Sequence, residues 1–573
     1  MEISFDVYWL GIMVIAAMLF TLITMPVAIK LSYWTHAIDK PDNRKVHAAP
    51  TPLLGGLAIS VSFFVSSYLF VPQDVYLDAF LAGLGIVTLT GLADDIWNIR
   101  PIFKFLGQII AALAFIQIGD NAINSFGDLL GMGPIETGLA AVPITVFCMV
   151  GVMNAINLSD GLDGLAAGMS IIACVFLAYF AIDTGYWLCL VLATTLFGSL
   201  LGFLYFNTHP AKVFMGDSGS LVLGYALAAI CILFQKAVDR HDVAPISLAL
   251  ILALPILDTF QVMAVRLLSG DKLFLPDNRH LHHRLLSLKI SHGSAVILMY
   301  LAMLSFGLAA VFMRSMPEWL QFTVGWALGA GIFGIVFILQ ALHFDADKRW
   351  HLNLSILHES RVYIFITKAM GKTVAICGWL LPVALVFPAL FLPDLDDTLN
   401  RIVLVVLASL IILFPWRSYA DRRGWVNGLT YLGIYFLFLT YNLSGSAGHV
   451  YYLMMLTYIT ALWLIFKLFF NRRDEGVLQI SAIEVLAIAI TWLSSFILIE
   501  FVSFTHPLQN ILIVTCLEAV PFFVVIKIIA HRDSRRYITV FCSLAAAYSL
   551  IGVESVIGVS VAAEIIRLLQ GVR

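Results

Sequence analysis

Two carboxylates three residues apart, Asp160 and Asp163, lie in the stretch Asn154-Ala155-Ile156-Asn157-Leu158-Ser159-Asp160-Gly161-Leu162-Asp163-Gly164-Leu165, between two long apolar runs. If the second run starts its helix here, both acids share one face of the first turn. Gly161 and Gly164 remove side-chain bulk beside them, so a ligand can come close to the backbone. Capping a helix would explain one aspartate through the helix dipole. It does not call for a second aspartate or for the flanking amides Asn154 and Asn157.

Four more polar clusters accompany this one. They are Asp39-Lys40-Pro41-Asp42-Asn43-Arg44-Lys45-Val46-His47 ahead of Pro52-Leu53-Leu54-Gly55-Gly56; Asp94-Asp95 with Arg100 and Lys104; Val213-Phe214-Met215-Gly216-Asp217-Ser218-Gly219-Ser220; and Asp277-Asn278-Arg279-His280-Leu281-His282-His283-Arg284. Spaced aspartates without soft ligands suit a hard cation such as Mg2+, which bridges carboxylates and substrate phosphates. Nearby Lys, Arg and His side chains suit a phosphate or pyrophosphate. The histidines could instead hold zinc, but no cysteine accompanies them and their spacing matches no common zinc framework. Asp94-Asp95 alone would pass for a solvated loop end. Together the clusters indicate metal-assisted phosphoryl transfer.

The elements that must position these groups are membrane spans. The chain has 573 residues, 61% hydrophobic and only 12% charged, against about 25% charged in soluble domains. Apolar runs recur near 7–29, 53–71, 76–92, 102–118, 139–157, 164–182, 187–205, 218–235, 245–267, 294–313 and 321–343, each long enough to approach or cross about 30 Å of hydrocarbon. The acidic start lacks the basic region of a signal peptide, so the first run reads as a retained span. Loops on one side of these spans carry twelve Lys and Arg residues and those on the other side three. That places the first set, which holds all five clusters, in the cytoplasm, with the N-terminus outside. Carboxylates at the inner ends of spans are costly enough to suggest function. The seven cysteines are scattered singly through apolar runs, with no metal-site or CxxC spacing, and serve as small apolar fillers. A secondary transporter would put its acids near the bilayer midplane, often within repeats. Here they gather at one face, and no repeat is visible.

The five ordered motifs, DKPDNRKVH with PLLGG, GLADD, NAINLSDGLDG, FMGDSGS and RHLHH, resemble those of the polyprenyl-phosphate N-acetylhexosamine-1-phosphate transferases (glycosyltransferase family 4). The resemblance covers about residues 30–290. It implies an all-α polytopic membrane protein with an eleven-helix transferase core over 1–345, in a bacterial cytoplasmic membrane. It further implies transfer of a sugar-1-phosphate from a UDP-sugar to undecaprenyl phosphate, with release of UMP. The HxHH form at His280–His283 is more similar to the branch using UDP-N-acetylglucosamine. The branch acting on UDP-N-acetylmuramoyl-pentapeptide carries a contiguous triple histidine.

On this resemblance Asp94 orients or deprotonates the acceptor phosphate, and Asp95, Asp160 and Asp163 shape the metal and nucleotide site. Asp217, with Asp94, ligates Mg2+, or Mn2+ in its place. His280, His282 and His283 hold the donor pyrophosphate, and Lys45, Arg100, Lys104 and Asn157 are further substrate contacts. The partners implied are undecaprenyl phosphate, a UDP-sugar and membrane lipid. A homodimer is compatible with this reading, and nothing points to nucleic acid. The departure from the family is length. A polar connector over 346–372 leads to 373–573, expected to form a second transmembrane bundle of about seven or eight spans with no comparable cluster.

Overall fold

The computed structural model describes residues 7–39, 50–235, 243–270 and 279–342, with Leu486 alone beyond them. Lys45, the connector 346–372 and the expected bundle over 373–573 lie outside the described residues. Thirteen α-helices occur within them: α1 (Val7–Thr35), α2 (Gly55–Phe70), α3 (Val75–Trp97), α4 (Pro101–Gly119), α5 (Ala141–Ser159), α6 (Leu165–Thr184), α7 (Trp187–Asn207), α8 (Gly216–Phe234), α9 (Pro245–Ile251), α10 (Ala253–Ser269), α11 (Leu281–Ser287), α12 (His292–Phe312) and α13 (Glu318–Ala341). Their boundaries follow from local chemistry. Asp74 caps α3 by accepting from the Leu77 N–H (2.7 Å), and Ser291 caps α12 through Ser294. Pro101 and Pro245 open α4 and α9, where the missing N–H costs nothing. Asn98 and Gly270 end α3 and α10 in the left-handed conformation.

The expected all-α membrane architecture is present, with two refinements. Among the described residues, nine helices are long and apolar enough to cross a membrane, making this a multi-pass membrane protein. α2 has 16 residues, short of a full span. The segment expected as one span over 245–267 is two helices, α9 and α10, meeting at 79° around Leu252. Pro255 explains the break: it has no N–H to offer the Ile251 carbonyl, and its ring clashes there. Exposed large apolar side chains, among them Ile23, Val27, Leu89, Phe147 and Phe337, form a surface suited to lipid.

α8 is the hub. It packs against α2, α3 and α5, and its side chains are buried from Ser218 to Ile230. Two glycines allow this closeness. A Cβ on Gly56 would strike the Gly219 backbone, and one on Gly91 would strike that of Ser218. Small residues at such crossings let helices pack without a hydrophobic driving force. Buried polar ties reinforce the contacts: Tyr225 donates to the Phe80 carbonyl (2.9 Å), and Tyr300 donates to that of Gly164 (2.7 Å).

A two-stranded ribbon, β1 (Ile38–Asp39) with β2 (Thr51–Pro52), pairs antiparallel. It closes the base of the basic loop. The chain after it is then stitched to the segment before α8: Phe214 N–H donates to the Pro52 carbonyl (2.8 Å), and the Gly55 and Gly56 N–H groups donate to Phe214 (3.0 Å) and Met215 (2.8 Å). Two motifs separated by 160 residues of sequence thus share one backbone frame.

Candidate active site

The start of α8 is built around Asp95. Its two oxygens accept from the N–H groups of Asp217 (2.7 Å) and Ser218 (3.0 Å). Those donors would otherwise be orphaned at the helix end, and the carboxylate also complements the helix dipole. Gly216, just before them, has φ +65, and a Cβ there would lie 2.5 Å from the Leu53 carbonyl oxygen and 2.6 Å from Asp95 Oδ2. Only glycine fits that turn.

Asp217 is thereby aimed at two neighbouring helices. Its Oδ1 accepts from Asn157 Nδ2 (2.6 Å), which also reaches Ser220 Oγ (2.7 Å). Its Oδ2 is ion-paired with Lys104 on α4, and the same ammonium lies 3.4 Å from Asp94 Oδ2 on α3. Lys104 thus bridges Asp94 and Asp217. The three side chains are 14–26% exposed, partly dry but reachable. Oxygen donors from two carboxylates, already gathered around one positive charge, match the preferences of a hard divalent cation.

The stretch 160–164 is a loop between α5 and α6, so the two aspartates do not share a helix turn. Neither caps α6, whose N-cap is Gly164 at φ +79. Asp160 is pushed up to about 7 by burial, and then by the negative charges of Asp217, Asp163 and Asp95. Asp163 behaves oppositely. Burial would raise its pKa, but a 2.6 Å hydrogen bond with His209 Nδ1, the Ala211 N–H (3.1 Å) and the His292 and His209 imidazoles hold it below the usual carboxylate range. His209 is correspondingly raised by that hydrogen bond.

Asp163, His209 and His292 also bring ligand atoms within 4.8 Å of one another. The two rings stack at 4.3 Å with 23° between their planes, so a shared ion would lie outside both planes. The Asp163 N–H meanwhile donates to His292 Nε2 (3.2 Å). The trio is built as a hydrogen-bonded latch.

The histidine motif closes the other side. His280 is the N-cap residue of α11. His282 is 1% exposed, and both of its ring nitrogens are buried without a hydrogen-bond partner among the described residues. Burial, then the His283 and His280 rings, push its pKa down to about 3, so it is neutral. Its Nε2 faces Gly161, where a Cβ would collide with it. The ring also lies 4.2 Å from that of His283. A buried imidazole with nothing to bond is expensive, and here it abuts the aspartate loop.

Asp94, Asp160, Asp217 and His282, from four different motifs, therefore meet in one region, with Lys104 and Asn157 among them. Asp95 adjoins it with both oxygens engaged, and Asp163 with Oδ2 engaged by His209 and the Ala211 N–H. Arg100 is exposed at the start of α4 and takes no part in the ion pairs of the described residues. His209, His292 and Asp258 escaped the sequence reading. Each stands at or near an apolar run, outside the five charged clusters.

Comparison with known proteins agrees with this geometry. The family model described as glycosyl transferase family 4 matches residues 77–235, which include the aspartate motifs from Asp94 to Asp217. A Bacillus subtilis (strain 168) protein named probable undecaprenyl-phosphate N-acetylglucosaminyl 1-phosphate transferase is 35% identical, over 57% of this chain and 89% of its own length. A Mycobacterium leprae decaprenyl-phosphate N-acetylglucosaminephosphotransferase is 34% identical over 48% of this chain and 76% of its own. An Escherichia coli (strain K12) undecaprenyl-phosphate alpha-N-acetylglucosaminyl 1-phosphate transferase is 27% identical over 54% and 85%. With the first of these relatives matched almost end to end, the chain belongs to glycosyl transferase family 4.

Proposed function

We propose that the chain transfers N-acetylglucosamine 1-phosphate from its UDP-sugar to undecaprenyl phosphate, releasing UMP, at the cytoplasmic face of a bacterial inner membrane. The observation that carries this reading is the Lys104 bridge between Asp94 and Asp217, set beside a buried, partnerless His282. Hard anionic donors, a cation and an unsatisfied imidazole in one partly enclosed place suit a diphosphate. The names of the relatives supply the sugar and the lipid.

In the net reaction an oxygen of the lipid phosphate bonds to the phosphorus bearing the sugar. That phosphorus loses its bond to the bridging oxygen, and UMP departs with the electron pair. Asp217 and Asp94 would hold Mg2+, whose charge would offset that of the diphosphate. Lys104 supplies a second positive charge, and Asn157 fixes the Asp217 carboxylate. Asp95 acts through α8, holding the backbone from which Asp217 projects. His282 offers a neutral ring nitrogen to the donor, beside Gly161 of the aspartate loop. Positioning and charge compensation suffice for phosphoryl transfer, which needs little other help from a protein.

The test is a membrane assay with purified chain, radiolabelled UDP-N-acetylglucosamine, undecaprenyl phosphate and Mg2+. Labelled lipid and UMP should appear together, stop on EDTA and return when Mg2+ is restored. Turnover with UDP-N-acetylmuramoyl-pentapeptide alone, or full activity in EDTA, would refute the reading.

Residues 1–345 carry this reaction, with 346–372 as connector and 373–573 as a separate bundle. The charged and histidine motifs are complete by residue 290, and the later segment offers no comparable cluster. A chain ending near Lys348 is expected to release UMP at a rate within a few-fold of the full chain. If that shortened chain is monodisperse in detergent and yet inactive, the extension belongs to the active site or its lipid access. Glu484, Glu500, Glu518 and Glu554 would then be the first residues to substitute.

A further inference from the structure

Asp258 is a carboxylate in the middle of an apolar helix, and it is 1% exposed. It lies on the buried face of α10 in the register Leu254, Asp258, Val262, Arg266, four residues apart and all buried. A charge at such a place is costly unless both oxygens are satisfied. Here both are. Oδ2 accepts from His280 Nδ1 (2.9 Å), and Oδ1 accepts from the Leu281 N–H (2.8 Å). The second bond is a helix cap supplied from another helix: His280 occupies the N-cap position of α11 but makes no side-chain cap of its own. The first bond fixes a proton on Nδ1 and leaves Nε2 as the atom of His280 that can face a ligand. The His280 and His282 rings lie 6.0 Å apart and 11° from parallel, so whatever orients the first also sets the start of the short helix carrying the second.

We propose that Asp258 is the positioning residue of the histidine motif. From the bent helix pair, it sets the tautomer of His280 and anchors the first turn of α11, so that His280 Nε2 and His282 are held ready for the diphosphate. This rests on the transferase reading for its ligand. The hydrogen-bond geometry itself does not. The 79° bend between α9 and α10 gives Asp258 its reach, because it turns α10 away from the α9 axis about two turns before the carboxylate.

The test compares full-length wild type with Asp258→Asn, His280→Ala and the double variant, for kcat, KM, pH profile and thermal midpoint in detergent. Asparagine keeps the volume but can offer His280 an N–H in place of an acceptor, favouring the wrong tautomer. Asp258→Asn is expected to lower kcat/KM for the UDP-sugar by roughly 10- to 100-fold and to move a limb of the pH profile. Asparagine keeps an Oδ1 to accept from the Leu281 N–H, so the loss runs through His280, and adding it to His280→Ala should cost at most about twofold more. His280→Ala alone leaves Asp258 charged and short of a partner, so the double variant should melt above it. Losses that multiply in the double variant, or wild-type kinetics in Asp258→Asn, would overturn the proposal. If Asp258→Asn is recovered only as aggregate, the comparison of His280→Ala with the double variant decides: equal turnover supports the proposal and a further loss overturns it. Should wild type turn over no UDP-sugar, the transferase reading fails, while the order of the melting midpoints still tests the pairing.

Discussion

Replacing Asp217 by asparagine is expected to lower turnover by about a thousandfold or more, which corresponds to about 4 kcal/mol of lost transition-state stabilisation. The side chain has three duties, and an amide can take over only one of them, the bond from Asn157. It balances Lys104, it accepts from Asn157, and in the proposed reaction it holds Mg2+ with Asp94. Asparagine preserves shape and one acceptor oxygen but removes the charge that the cation requires. The fold should not suffer, because the N-terminus of α8 is capped by Asp95 and not by Asp217. Lys104 also keeps Asp94 as a partner. UMP release at saturating substrates and Mg2+, measured on protein shown to be monodisperse, checks this. Turnover within about tenfold of wild type would remove Asp217 from its assigned role.

That expectation could be framed from sequence, and the reasons show what the chain makes legible. A membrane imposes long apolar runs, so ten of the eleven expected segments recur as single helices at nearly the expected places. The eleventh is two helices because apolar composition says nothing of continuity, whereas Pro255 breaks the backbone regardless of its neighbours. Asp94, Asp160, Asp217 and His282 stood out because charges and clustered imidazoles are costly beside lipid.

Partnership was harder to foresee. The resemblance implies that Lys104 is a substrate contact, and in the fold its ammonium joins two carboxylates. Asp95 and Asp163 look alike in sequence to Asp94 and Asp160. Backbone geometry separates them: Asp95 meets the bare N–H groups of α8, and Asp163 meets His209 across the α7–α8 loop. Asp258 reads in sequence as one acid inside a span, since its partner lies 22 residues later.

Gly161→Ala should prove nearly as damaging as the loss of a charged residue, with a fall in kcat/KM of about 100-fold. Its new methyl group points at His282 Nε2 and cannot occupy the same space. His282 has little room to retreat. It is 1% exposed, its ring lies against that of His283, and its helix is pinned through His280 and Leu281 to Asp258. Either the imidazole or the aspartate loop must therefore shift by an ångström or so, a displacement that can cost about a hundredfold in rate when it falls on groups that grip the reacting phosphate. The backbone itself accepts alanine, because Gly161 is not among the residues with positive φ. Gly164→Ala makes the contrasting case. There φ is +79 and the nearest atoms to a Cβ are 3.6 Å away, so the cost is backbone strain of about 1 kcal/mol with no collision. The two variants should thus separate: Gly161→Ala transfers poorly even at temperatures where it is fully folded, whereas Gly164→Ala melts earlier but transfers well at low temperature. Equal activity in Gly161→Ala and wild type would mean that His282 moves aside freely and that its place beside the loop is not what the reaction uses.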